Sequence, residues 1–302
     1  MATAFIFPGQ GSQYVGMAKD FFEADAESRA LVARADEILG VPLSTLCFEG
    51  PEEELKQTRN TQPAIFLHSI LAWKKIANTR GEMAAGHSLG EYSALVAAGA
   101  MTFEDGLQLV RLRGELMQKA GEEQKGTMAA IVGLLPEVIE DLCKEASQAG
   151  IVQPANFNSP GQIVISGSVE GVRKGVELAK ARGAKLAKEL VVSGAFHSPL
   201  MASARDGLKK KLDETRIVDA AIPVYANVTA EPVTKADEIR DLLVRQLTSP
   251  VRWEESVMHM VRDGATAFLE IGPGKVLQGL VKRIASSATV AGVDKFVDVQ
   301  TV

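Results

Sequence analysis

The apolar positions of this chain change their spacing several times, and each change marks an element. Ala4-Phe5-Ile6-Phe7 is a short run of β-formers that stops at Pro8 and enters a glycine-rich turn. Over 28–39 the apolar spacing predicts an amphipathic helix ended by Gly40, and 51–55 opens a short acidic helix. The stretch 64–73 is almost wholly apolar and predicts a buried helix with His68 inside it. Met83-Ala84-Ala85 reads as a short strand, and 91–98, rich in alanine and leucine and closed by Gly99, reads as a helix. A long helix follows over 103–120 and carries Arg111 and Arg113.

From 126 the rhythm shifts. Strand patterns over 127–133, 151–158, 162–167 and 184–192 alternate with helix patterns over 136–149 and 169–182. Ser159-Pro160-Gly161 joins the two middle strands as a hairpin-type turn, Pro136 opens the first helix and Gly183 closes the second. The order β-α-β-β-α-β predicts a compact ferredoxin-like (split βαβ) unit at 126–192, inserted into a larger α/β domain built from 1–125 and 193–302. Beyond it, helices are expected over 200–212 and 253–261.

Composition narrows the function. A chain of 302 residues, 46% hydrophobic, has enough apolar surface for a substantial core. Its net charge of -5 argues against a nucleic-acid binder held by a basic field. Cys47 and Cys143 form no C-x-x-C and have no histidine at ligand spacing, so no metal site or disulfide framework is expected and the compartment reads as reducing and cytoplasmic. The first strand-like run begins at once and no apolar stretch reaches the length of a membrane span, so neither an export signal nor a transmembrane helix is expected.

The candidate chemistry centres on Gly86-His87-Ser88-Leu89-Gly90, between a strand and a helix. A serine on a sharp strand-to-helix turn needs glycines two residues to either side, because only they leave room for the backbone. Such a turn lifts Oγ clear of the sheet, and the N–H of Leu89 at the helix start can donate to an oxyanion. The alternative is a purely structural turn. After the first strand, Pro8-Gly9-Gln10-Gly11 fails as a dinucleotide fingerprint because Tyr14 stands where the third glycine belongs. It is either a surface turn or a loop whose backbone N–H groups, that of Gln10 among them, face a developing negative charge. A serine nucleophile needs a base. Of the four histidines, His68 and His259 lie on helices and His87 adjoins the serine pointing away, which leaves His197 in its loop as the best base. Arg111 and Arg113 are surface ion-pair residues unless a buried carboxylate requires a bidentate partner.

These motifs together resemble the malonyl-coenzyme A:acyl carrier protein transacylases of bacterial type II fatty-acid synthesis. Phe7-Pro8-Gly9-Gln10-Gly11-Ser12-Gln13, Gly86-His87-Ser88-Leu89-Gly90-Glu91, Gly194-Ala195-Phe196-His197-Ser198 and Glu270-Ile271-Gly272-Pro273-Gly274-Lys275 match that family's motifs in order, and Leu243-Val244-Arg245-Gln246-Leu247 also fits. The resemblance runs from about residue 4 to Ile284 and implies an α/β-hydrolase-like large domain with a ferredoxin-like small one.

It implies a two-step acyl transfer without metal or cofactor. Ser88, activated by His197, takes the malonyl group from malonyl-coenzyme A, with the N–H groups of Gln10 and Leu89 on the oxyanion. The phosphopantetheine thiol of acyl carrier protein then takes the malonyl group from Ser88. By the same resemblance Arg113 pairs with the malonyl carboxylate, Phe196 belongs to the malonyl-selecting pattern, and the Gln246 carbonyl orients the histidine. Alternatives are a discrete acyltransferase serving a polyketide synthase and a serine esterase or thioesterase. An esterase would call for an acid such as Asp141 or Glu189, at positions unsuited to that role. A non-catalytic carrier-protein binder is disfavoured by the presence of both Ser88 and His197. The expected assembly is a monomer, with Lys185, Lys188, Lys282 and Arg283 as candidate docking cations for an acidic carrier.

Overall fold

The computed structural model describes residues 2–76 and 79–301. Its strands, in chain order, are β1 (Ala2–Phe7), β2 (Met83–Gly86), β3 (Gly126–Val132), β4 (Val152–Ser159), β5 (Gln162–Ser168), β6 (Leu186–Glu189), β7 (Val224–Tyr225), β8 (Pro232–Val233), β9 (Ala265–Ile271) and β10 (Thr289–Val293). They form two sheets in a mixed α/β fold.

The larger sheet runs β10-β9-β1-β2-β7-β8 and is parallel except for the last pair. The chain starts at its centre. Ala4 lies opposite Met83 on one side and Phe268 on the other. β1 is apolar at successive positions because both its faces are covered: Ala4 and Ile6 enter one hydrophobic cluster, Phe5 and Phe7 another. From β1 the chain moves outward through β2 to β7, then returns to the opposite side of β1 as β9. Such a reversal opens a crevice beyond the carboxyl ends of the strands, and that is where the loops after β1 and β2 meet.

The second sheet is antiparallel, in the order β4-β5-β3-β6. Helices Pro136–Ala146 and Val169–Ala181 follow β3 and β5, so the order of elements is the expected β-α-β-β-α-β. Its side chains alternate as the pleat requires. Ala129, Ile131, Ile163 and Ile165 pack with Ile139, Leu142 and Val172 of the helices, whereas Met128 and Val164 point the other way into the main core. The turn between β4 and β5 uses Gly161 at φ 69°. β6 is shorter than the pattern over 184–192; past its end Leu190 N still donates to the Met128 oxygen of β3 at 2.8 Å, and Leu190 and Val192 line a cavity.

The helices follow their caps. Helix Ala26–Leu39 starts at Asp25, whose carboxylate accepts from Ser28 N, and stops at Gly40, φ 64°. Thr102 caps helix Phe103–Glu123 in the same way. The apolar helix expected over 64–73 is longer, Thr58–Lys75, and includes Pro63. A proline there leaves the carbonyl four residues back without its helical donor. Arg111 Nη1 takes that place, 3.1 Å from the oxygen of Arg59, and Arg111 also pairs with Glu115. The helix over 136–149 ends at Ala146, and the one over 200–212 is a 3₁₀ turn, Pro199–Met201, followed by Ala202–Glu214. Helices Leu43–Glu49 and Ala236–Gln246 lie outside the spans read from the pattern. Among the described residues no helix is long and apolar enough to cross a membrane.

Candidate active site

The strand-to-helix turn is built as its glycines require. Gly86 ends β2 and Gly90 opens helix Gly90–Ala97. A Cβ on Gly86 would lie 1.9 Å from the Gly90 carbonyl carbon, and one on Gly90 would lie 2.1 Å from the Phe7 oxygen, so no side chain fits at either position. Between them Ser88 sits at φ 51°, in the left-handed region that non-glycine residues rarely adopt. Asn227 holds it there. Its Oδ1 accepts from Ser88 N at 2.7 Å and its Nδ2 donates to the Gly86 oxygen at 2.7 Å.

His197, at φ 58° in its loop, brings Nε2 to 2.8 Å from Ser88 Oγ. Its Nδ1 is 2.9 Å from the main-chain oxygen of Gln246. A carbonyl only accepts, so Nδ1 carries the proton and Nε2 is left with a lone pair toward the serine hydroxyl. Burial pushes the His197 pKa down to about 3, aided by the nearby Arg113 charge and by His87. The imidazole is therefore neutral throughout the physiological range.

Arg113 projects from helix Phe103–Glu123 and is only 1% exposed. Nη1 donates to Gln62 Oε1 at 2.9 Å, and Nη2 donates to Gln246 Oε1 at 2.9 Å and to Ser88 Oγ at 3.0 Å. Among the described residues its Nε has no partner. Burial lowers its pKa, but a guanidinium keeps its charge in a protein. Ser88 Oγ therefore lies between a proton acceptor and a fixed cation.

These groups line a cavity of about 280 Å³. Gln10, Leu89 and Phe196 border it as well, and among the described residues the backbone N–H groups of Gln10 and Leu89 have no hydrogen-bond acceptor. Met128 and Val164 of the smaller sheet form an apolar wall. All seven residues singled out from the sequence, Ser88, His197, Gln10, Leu89, Arg113, Phe196 and Gln246, are thus at one place, Gln246 through its bonds to His197 and Arg113.

Three contributors were not singled out from the sequence. Asn227 follows β7 in a stretch without a motif. Gln62 lies one turn inside helix Thr58–Lys75. Glu91 belongs to the serine motif, but its role depends on partners distant in the chain: its Oε2 accepts from Asn227 N and from Gln246 Nε2.

The remaining candidates do not join the serine–histidine pair. His68 is fully buried and bonds the Asp294 oxygen at 2.9 Å, with its pKa lowered to about 4 by burial. His87 lines the same cavity but bonds Asn158 Oδ1 at 2.9 Å rather than Ser88, and His259 bonds the Ala230 oxygen. Asp141 pairs with Lys144 and Glu189 with Arg173 on the small-sheet surface, so neither serves His197. Lys185, Lys188, Lys282 and Arg283 are exposed, and Arg283 bonds Gln162 at the cavity edge. No cluster of three or more His, Cys, Asp or Glu side chains among the described residues could hold a metal ion.

The class defined by this fold and geometry is a mixed α/β protein whose serine, on a strand-to-helix turn, is paired with a histidine from a separate loop. The family model of the acyl transferase domain matches residues 4–297, and the chain belongs to that family. It is 49% identical to a malonyl CoA-acyl carrier protein transacylase of Bacillus subtilis over 284 residues, 93% of this chain and 90% of the relative. A crystal structure of an acyl carrier protein S-malonyltransferase from Vibrio cholerae superposes with a TM-score of 0.96 at 44% identity, covering 100% of this chain and 99% of the other. A chain from the structure of a type II PKS acyl-carrier protein in complex with its malonyl-transacylase matches with a TM-score of 0.96 at 44% identity, covering 100% of this chain and 98% of that one.

Proposed function

We propose that this enzyme moves a malonyl group from malonyl-coenzyme A to the phosphopantetheine thiol of acyl carrier protein, as its relatives' names describe for them. The observation that carries the reading is the position of Ser88 Oγ, 2.8 Å from a neutral imidazole and 3.0 Å from a buried guanidinium. The hydroxyl attacks the thioester carbonyl while its proton passes to His197 Nε2. The tetrahedral oxyanion takes the free N–H groups of Gln10 and Leu89. As the C–S bond breaks, the imidazolium, made a strong acid by burial and by Arg113, returns the proton to the coenzyme A sulfur. The carrier thiol repeats the sequence in reverse and frees Ser88. The mechanism calls on no metal or cofactor.

Arg113 supplies the acyl preference. A malonyl carboxylate buried without a partner costs several kcal/mol, and a guanidinium already fixed by Gln62 and Gln246 meets it without further ordering. An esterase or thioesterase fits less well, because the Nδ1 partner of His197 is an amide carbonyl rather than an acid. The polyketide alternative shares this chemistry and differs only in the carrier served.

The finer architecture belongs to the same reading: an α/β-hydrolase-like catalytic domain of 1–125 and 193–302 around the larger sheet, and a ferredoxin-like domain of 126–192 around the smaller one. We place the enzyme in the cytoplasm as a monomer, with the exposed cations Lys185, Lys188, Lys282 and Arg283, the last bonded to Gln162 of the cavity lining, as the docking side for an acidic carrier. Intact-mass measurement after mixing with malonyl-coenzyme A tests the core of this. A single malonyl adduct on Ser88 that is discharged by holo-acyl carrier protein is expected. An adduct elsewhere, or one discharged by water as fast as by carrier, rules the reading out.

A further inference from the structure

Glu91 takes no part in the chemistry above, yet it is 2% exposed and lies directly behind the site. Keeping a carboxyl there is costly, and burial pushes its pKa up to about 7. One oxygen, Oε2, accepts two hydrogen bonds: 3.0 Å from Asn227 N and 2.8 Å from Gln246 Nε2. The second bond decides which way the Gln246 amide faces. With its NH₂ on Glu91 and on the Ser88 oxygen at 3.0 Å, its Oε1 must face Arg113 Nη2, 2.9 Å away. The reverse orientation would set an NH₂ against a guanidinium that has only donors, and an oxygen against the oxygens of Glu91 and Ser88. Donors and acceptors therefore run in one direction, from Arg113 to Gln246 to Glu91.

We propose that Glu91 is a positioning residue for acyl-group selection: through Gln246, its acceptor oxygen holds Arg113 where the guanidinium meets the acyl carboxylate. The proposal rests on the reading of Arg113 as the partner of that carboxylate. It distinguishes an acceptor from a charge. Glutamine at this position keeps an oxygen that two facing donors will turn inward, whereas methionine, of similar volume, offers none.

The test is the rate of Ser88 acylation by malonyl-coenzyme A relative to acetyl-coenzyme A, followed by intact mass, with thermal melting to establish folding. Glu91→Met should lower the malonyl:acetyl ratio of kcat/KM roughly 10- to 100-fold, the scale of a hydrogen bond to a charged group. Glu91→Gln should keep most of the ratio. A purely structural role would slow both donors alike and leave the ratio unmoved. If Glu91→Met does not fold, Gln246→Leu cuts the relay at its other end and should lower the ratio as far; an unchanged ratio there overturns the proposal. A folded Glu91→Met with the wild-type ratio overturns it, as does a Glu91→Gln that falls as far as Glu91→Met. A wild-type enzyme with no preference for malonyl removes the reading of Arg113 and the proposal with it, whereas a wild-type preference that survives in Glu91→Met removes the proposal alone.

Discussion

The two sheets bury their residues in different ways and contribute differently to the site. In the larger sheet, successive residues of β1 face two separate cores, and three of the site's polar groups lie beyond its strand ends: the Gln10 loop after β1, the Ser88 turn after β2, Asn227 after β7. In the smaller sheet one face packs on its own helices, and the other presents Met128 and Val164 to the cavity. A parallel sheet covered on both faces has only its ends free for chemistry. An antiparallel sheet covered on one face can serve as a wall. We conclude that the strand ends of the large sheet place the nucleophile, while the small sheet shapes the space in front of it.

The sharpest way to break this comparison is at the reacting pair. Ser88→Ala should abolish the acyl-enzyme, and His197→Ala should slow acylation roughly 10²- to 10⁴-fold. A stable adduct in Ser88→Ala, read by intact mass, would leave the Ser88 turn without its role. Arg113→Ala comes next. Malonyl transfer should lose on the order of 2–5 kcal/mol, as when one member of a buried charge pair is truncated, while acetyl transfer should be spared. Ratios of kcat/KM for the two donors check this, and an equal loss for both would make Arg113 a structural residue.

A smaller effect appears in the pH dependence. A base held at about 3 stays neutral, so the acid limb of acylation should lie far below the 6.5 of an ordinary histidine. Arg113→Ala removes one of the charges that depress it, so the limb measured with acetyl-coenzyme A should move upward. A wild-type limb near 6.5 contradicts the burial argument. The same shift has a stability consequence with a definite sign. Between 6.5 and about 3 the unfolded chain binds a proton that folded His197 refuses, so this residue destabilises the fold increasingly as pH falls through that window. His68, lowered to about 4, acts in the same direction, whereas Glu91 and Glu270, both raised to about 7, stabilise the fold as pH falls from 7 toward their ordinary 4.5.

The smallest effect is expected at the wall. Met128→Ala should lower kcat/KM for malonyl-coenzyme A by less than about tenfold, the scale of a few methylenes in an apolar pocket, without changing the malonyl:acetyl ratio. A loss matching that of Arg113→Ala would mean that the small sheet takes part in selection, and the division between the sheets would not hold.

The parts of this protein legible in its sequence are those whose causes are local. Gly86 announces the serine turn because the atoms its side chain would strike belong to Gly90 and Glu91, close by in the chain, whereas the demand on Gly90 comes from Phe7 and Pro8 after β1. The small sheet is legible because a pleat repeats every two residues, and Ile163-Val164-Ile165 alternate between its faces accordingly. The resemblance to a known family placed Gln10, Arg113, Phe196 and Gln246 at the site, where periodicity alone left Arg113 an ordinary helical cation. Tertiary structure decided the rest. Asn227 reaches Ser88 across 139 positions and Gln246 reaches Glu91 across 155, and no local pattern encodes hydrogen bonds of that span. Leu190 and Val192, past the end of β6, line a cavity that exists only once the two sheets meet. The protonation state of His197 is set by burial and by Arg113, neither of which its own loop supplies. Chain neighbours determine backbone shape and side-chain period, whereas charge state and hydrogen-bond direction depend on whatever the fold brings within 3 Å or so of a buried atom.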